Sequence, residues 1–244
     1  MNKRIACAAL VLALSGCAPV DETPMISIIG ATLIDGTGAA PVPESVILVA
    51  GSRVGDAGAR ATVPTPARAE NVDARGKYVT PRVIDLDRAH LAAASSNEEL
   101  RKLVDIGTPA YGSLPVEIEP ALAARLRDSR AVFAPGLSLR SGDDLARAMR
   151  QTRQLSSEGV AIGVASSGDV ARELQLLAEA GLSPMEVLVA ATRDGALARR
   201  RSHELGTVTA GKAANLQVLS ANPLDDIRNL ARPERTMEEG TWLN

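Results

Sequence analysis

Hydrophobic and polar positions divide the chain into three stretches of different period. From Met25 to Thr80 the apolar runs are short and rich in β-branched residues: Ile26-Ser27-Ile28-Ile29, Thr32-Leu33-Ile34 and Val46-Ile47-Leu48-Val49. Such runs, broken by Asp35-Gly36-Thr37-Gly38 and by Ala50-Gly51, predict strands joined by tight turns. Tyr78-Val79 leads through Thr80-Pro81 into a further strand at Val83-Ile84. From about Ser96 helical spacing alternates with short apolar runs. Ser96-Asn97-Glu98-Glu99 reads as a capping box, followed by Leu100, Leu103 and Val104 on one helical face and by Gly107 at the helix end. Pro120 to Asp128 predicts a second helix, and Ser141 caps a third carrying Leu145 and Met149. A fourth carries Val170, Leu174 and Leu177, and Ser183-Pro184-Met185-Glu186 opens a fifth that runs to about Arg199. Between them, Ala131 to Ala134 and Val160 to Val164 are apolar without alternation, as expected of strands buried on both faces. This alternation implies parallel βαβ units. After Leu205 the pattern is again β, with a hairpin predicted from Gly206-Thr207-Val208 and Leu216-Gln217-Val218-Leu219 around Ala210-Gly211-Lys212.

The first residues have a different character. Lys3 and Arg4 precede an apolar run, Ile5 to Leu14, that is too short to span a bilayer as a helix, and Leu14-Ser15-Gly16-Cys17 follows. Charge, apolar run, small residues and Cys in this order resemble a bacterial lipoprotein signal. The resemblance implies a signal peptide over 1–16, a lipidated Cys17 and a short tether over 17–25. Stable attachment to a membrane would then need no spanning helix. Ala18, where an Asp favours retention in the inner membrane, points to the outer membrane facing the periplasm. Cys7 would leave with the signal, so no intramolecular disulfide could form.

Composition narrows the function classes. The chain has 244 residues with a formal net charge of -2, and the part after the signal carries 25 basic against 29 acidic residues. No basic excess is available for nucleic acid. Aromatic residues make up 2% of the chain, too few for a stacking site. No dinucleotide fingerprint, P-loop or nucleophile elbow is present.

Both ends of the chain after the signal resemble the metal-dependent amidohydrolases. At the start, the resemblance lies in Ile29-Gly30-Ala31-Thr32-Leu33-Ile34-Asp35-Gly36-Thr37-Gly38 and in Gly51-Ser52-Arg53-Val54. It continues through Asp73-Ala74-Arg75-Gly76-Lys77-Tyr78-Val79-Thr80-Pro81 into Val83-Ile84-Asp85. At the end, it lies in Glu173 to Ala191, Leu205-Gly206-Thr207-Val208, Gly211-Lys212-Ala213-Ala214-Asn215-Leu216 and Asn222-Pro223-Leu224. The resemblance implies an α/β fold in which a small composite β-sandwich is formed by both chain ends, 26–80 and 206–244. A truncated (β/α) barrel-like parallel layer would occupy 81–205. Pro81 to Leu205 is 125 residues. A complete eightfold barrel takes about 250, so about four βα units fit. The layer is then an open sheet or half of a barrel completed by a homodimer, and the open sheet is the favoured form.

In that family, metal-activated water attacks the substrate, held by a His-x-His pair on the first barrel strand, further His on middle strands and an Asp on the last. Here the His-x-His positions fall on Asp87 and Ala89, and the last-strand motif falls on Gly163-Val164-Ala165. Only two His exist, His90 and His203. His90 stands one residue late, which in a strand turns it to the other face. Asp87, His90 and Asp169 are what remains as metal-ligand candidates. Against those roles stand plainer ones: a solvated strand-end acid, a surface His and an acid at a helix N-terminus. His203 closes a basic run, Arg199-Arg200-Arg201-Ser202-His203, read as a solvated helix end, with contact to anionic lipid headgroups as the alternative. The expectation is a pseudoenzyme with no catalytic residue and no cofactor. The alternative is a zinc hydrolase of cyclic amides, dipeptides or related C–N bonds, acting on a substrate the sequence does not identify through a non-standard or dimeric site.

Overall fold

The computed structural model describes residues 25–115 and 117–243. The expected signal peptide, Cys17 and the expected tether up to residue 24 lie outside the described residues. Two sheets make up the fold. The larger has eight strands: β1 (Met25–Leu33), β2 (Val42–Ala50), β3 (Arg53–Ala59), β4 (Glu70–Asp73), β5 (Tyr78–Pro81), β10 (Leu216–Leu219), β11 (Arg235–Glu238) and β12 (Thr241–Leu243). Its hydrogen-bonded order is β12-β11-β10-β5-β1-β2-β3, with β4 also on β1. Strands from both chain ends thus share one sheet, joined where β10 runs antiparallel to β5. The two apolar runs at its start form the single strand β1, bulged at Gly30, where φ is 84°. The first half of β1 pairs in parallel with β4 and its last two residues with β5, so one strand edge serves two partners and the sheet folds over an apolar cluster of Ile28, Leu33, Ile47, Val79, Leu216 and Met237.

The smaller sheet is parallel, in the order β6 (Ala92–Ala93), β7 (Ala110–Ser113), β8 (Val132–Phe133) and β9 (Ala161–Ile162). Helices α1 (Asn97–Asp105), α2 (Pro120–Asp128), α3 (Gly142–Ser157) and α4 (Val170–Glu179) alternate with these strands and cover one face. Tyr111, Phe133, Ile162 and Val164 pack there against Leu100, Leu126, Leu155 and Leu174. The caps form where the side chains predict them. Ser96 accepts from the Glu99 N–H at 3.2 Å, although Glu99 reaches back to Ser95 rather than to Ser96. Ser183 and Glu186 bond reciprocally at the start of α5 (Pro184–Val189). Ser141 holds the cap position of α3 without a side-chain bond.

The fifth helix continues to Ala198 through a π-turn (Ala190–Asp194) and a short α6 (Gly195–Ala198). The π-turn has a use. Widening the helix frees backbone carbonyls, and that of Ala191 accepts from the Ile84 N–H at 2.7 Å. The segment Ile84-Asp85-Leu86 is thereby held on one side by the π-turn and on the other by the chain just beyond β9, where Leu86 N–H meets the Val164 carbonyl at 2.8 Å and Asp85 forms a parallel bridge to Val164. Only this bridge forms where a full strand is expected at Val83-Ile84. A bare sheet edge is a liability, and here a helix covers it. Gly195 permits the contact, since a Cβ on it would stand 2.9 Å from the Ile84 Cβ.

The face opposite α1–α4, which would line the interior of a closed barrel, is also covered. Ile84, Leu86, Ala110, Val132, Ala134 and Ala165 pack against Ala196, Ala198 and Leu205. Among the described residues no closed barrel forms.

A second strand expectation also differs from the structure. Gly206-Thr207-Val208 forms no hairpin with β10. Val208 N–H instead bonds the Asp35 carbonyl at 2.9 Å, and β10 lies between β5 and β11. The hairpin in this region is β11-β12, turned by Glu239 and Gly240 with φ of 46° and 78°. Paired positive φ suits the right-handed twist of a tight hairpin.

Candidate functional site

The C-terminal ends of the parallel strands are where an α/β layer presents chemistry. Two carboxylates gather there, from Asp85 and Glu173. Asp85 follows the Ile84 edge segment. Its Oδ1 accepts from the Ser166 N–H at 2.7 Å and its Oδ2 from the Ser166 hydroxyl at 2.6 Å. Ser166 stands just beyond β9 and is 1% exposed. Glu173 projects from the first turns of α4 and is fully buried. Its two oxygens accept from the backbone N–H groups of Leu137 and Ser138, at 3.0 and 2.6 Å. Those groups open a 3-10 turn (Leu137–Leu139) whose cap, Gly136, takes a φ of 59°. Successive N–H groups turned to one point bind an anion, so Glu173 ties the loop after β8 to α4.

Neither carboxylate forms an ion pair among the described residues. Burial pushes the Glu173 carboxyl above its ordinary value. The Ser138 and Leu137 donors work against that rise, and the nearby Asp85 charge adds to it. Asp194, at the end of the π-turn, is also pushed up by burial, against the Arg193 guanidinium beside it. A carboxyl raised on folding binds its proton more tightly in the native than in the unfolded state. Its contribution to stability is present below the unfolded value, 4.5 for Glu, and is lost as pH rises through the folded value. The stability of Glu173→Gln is therefore expected to fall less steeply than wild type between pH 4.5 and 8. Urea unfolding at several pH values measures both slopes, and parallel curves would refute the assignment.

The candidates of the sequence reading take no part in these bonds. Asp87 caps a 3-10 turn (Arg88–His90), its Oδ1 accepting from the Ala89 N–H at 2.9 Å. Its Oδ2 faces His90 Nδ1 at 3.3 Å, and both side chains are exposed. Asp169 caps α4, accepting from the Arg172 N–H at 3.0 Å. His203 is exposed beside Glu204. The structure brings Asp87 and His90 together at the surface. Among the described residues, no group of three or more His, Cys, Asp or Glu side chains is placed to hold a metal ion. Ala89 and Ala165 offer no donor, and the oxygens of Asp85 and Glu173 are taken by protein hydrogen bonds. The residues present do not fit the family's metal centre. Ser166 is no substitute nucleophile, because it is buried.

Sequence reasoning gave no role to Asp85 or Glu173. A signal for Glu173 exists: it lies on the apolar stripe of Val170, Leu174 and Leu177, three residues after the first and four before the last.

The amidohydrolase family profile matches residues 57–243. The chain belongs to the amidohydrolase family. No curated protein matches it. Among solved structures, molinate hydrolase superposes with a TM-score of 0.74 at 12% identity, covering 91% of this chain and 95% of that one. A Xaa-Pro dipeptidase with methionine in its active site gives 0.73 at 12% identity, covering 90% and 100%. A. niger ochratoxinase gives 0.68 at 12% identity, covering 91% and 96%. At these identities the likeness establishes the amidohydrolase fold and not the activity.

Proposed function

We propose that the chain is an amidohydrolase-type lipoprotein that has lost metal-dependent turnover. It is held at the outer membrane, facing the periplasm, through Cys17, and serves by binding or assembly. The division proposed for it is a signal peptide over 1–16, a tether over 17–25, a frame over 26–80 and 206–244, and a shortened barrel layer over 81–205. The observation that carries the reading is the filling of the family's metal region. Ala165 is buried among apolar side chains, and both oxygens of each carboxylate that remains nearby already accept from an N–H or O–H donor. A water-activating metal needs an open coordination position and unspent donors.

A second reading keeps a zinc hydrolase of cyclic amides, dipeptides or related C–N bonds. It is favoured by Asp87 and His90 standing side by side, which a second subunit could complete. One preparation separates the readings. The protein is expected in the membrane fraction, to leave it on Cys17→Ser, and to carry far less than one zinc per chain by elemental analysis. It is also expected to hydrolyse no member of an amide, lactam and dipeptide panel. Near-stoichiometric zinc, lost together with hydrolysis on His90→Ala, would establish the second reading instead.

A further inference from the structure

Helix α6 ends in a paired hydrogen bond: Arg200 N–H to the Leu197 carbonyl and Arg201 N–H to the Ala196 carbonyl, both 2.9 Å. This close requires one residue in the left-handed region, where glycine is the usual occupant. Here that residue is Arg200, with φ at 56°. A side chain in that conformation is strained, so the backbone alone argues against Arg. The guanidinium reaches the Gly107 carbonyl, Nη2 to O at 2.7 Å. Its neighbour Arg199 sets Nη2 on the Asp85 carbonyl at 2.8 Å. Both guanidinium groups are thus anchored by carbonyls. Arg193 and Arg201, on either side, pair with carboxylates; Arg199 and Arg200 pair with none among the described residues.

A cavity of about 500 Å³ opens between these two anchors, walled by Leu86, Leu91, Pro109 and Ala198. Small-ligand pockets run from about 300 to 1,000 Å³ and combine an apolar lining with a few fixed polar groups. One acid stands at the rim, Asp87, and its oxygens are turned to the Ala89 N–H and to His90. A guanidinium held by one N–H keeps its others in a planar fork that matches a carboxylate.

We propose that this cavity binds a small organic carboxylate with an apolar body, the carboxylate taken by Arg199 and Arg200 and the hydrocarbon lying against Leu86, Leu91 and Pro109. Inorganic phosphate satisfies the cations and leaves the apolar wall unmatched. A neutral amphiphile satisfies the wall and leaves the cations unmatched. The site stands whether or not hydrolysis survives, since it uses none of the family's metal positions as a donor to the ligand.

Calorimetric titration of the full chain carrying Cys17→Ser, with decanoate below its micellar concentration, tests this. Decanoate is expected to bind with a Kd of about 1 mM or tighter. Decanol is expected to bind at least about tenfold more weakly, and phosphate not to displace decanoate. Arg200→Gly and Arg199→Gln should each weaken decanoate about tenfold. Arg200→Gly should do so with an unchanged or higher Tm, because glycine relieves the left-handed position. Absence of decanoate binding, equal binding of decanol, displacement by phosphate, or wild-type affinity in Arg200→Gly would each overturn the proposal.

Discussion

Phe133→Ala is expected to destabilise the protein by about 3–5 kcal/mol, the range for removing a fully packed aromatic side chain. β8 is two residues long and sits second from the end of the four-strand parallel order, between β7 and β9. Val132 packs on the covered inner face and Phe133, 2% exposed, on the face under α1–α4. A strand this short has few ladder bonds, so side-chain packing must hold it. Phe133 and Tyr111 are the only aromatic residues fully inside the layer among those described. An alanine leaves a cavity lined by Leu and Val, which stays dry and loses its contacts outright. The urea midpoint of unfolding measures the effect. A loss under about 1 kcal/mol would mean that the shortened layer is not a cooperative core and that stability resides in the eight-stranded sheet.

Legibility followed local chemistry. Helix starts are readable because a cap is a property of four neighbouring residues: Ser183 and Glu186 bond as their spacing requires, and Asp169 caps α4. Strands buried on both faces, such as Val160 to Val164, are readable from unbroken apolarity. β11 is not: in Arg235-Thr236-Met237-Glu238 only Met237 is buried, and its partners lie on β10 and β12. The π-turn is equally hidden, because its reason is a long-range one, the Ile84 N–H that needs the Ala191 carbonyl. The absence of the family's ligands at 89 and 165 is plain in the sequence. That Glu173 is held on a backbone turn and Asp85 on Ser166 is a tertiary fact. It joins residues 35, 36 and 81 apart in the chain, and no local spacing encodes it.

The strongest expectation concerns position 165. Restoring the family's carboxylate with Ala165→Asp is expected to cost about 3–5 kcal/mol rather than to rebuild a site. Ala165 is fully buried, on the face shared with Ile84, Leu86, Ala134 and Ala196. Space there is already used. At Gly163, two residues earlier on the same face, a Cβ would stand 2.9 Å from Val132 Cγ1 and 3.0 Å from Leu86 Cδ1. An aspartate would have to desolvate among apolar side chains, and a buried charge that finds no partner there is among the few single changes that cost this much. Its carboxyl should be raised on folding, so the deficit should grow as pH rises and shrink towards pH 4. Ala165→Asn separates bulk and polarity from charge: it should lose stability without the pH dependence. The measurement is urea unfolding of the three proteins at pH 4.5 and 8, with zinc content of each. Wild-type stability in Ala165→Asp together with bound zinc would mean that the inner face is an open ligand pocket. A pH-dependent loss without zinc would mean that this face of the layer serves as core.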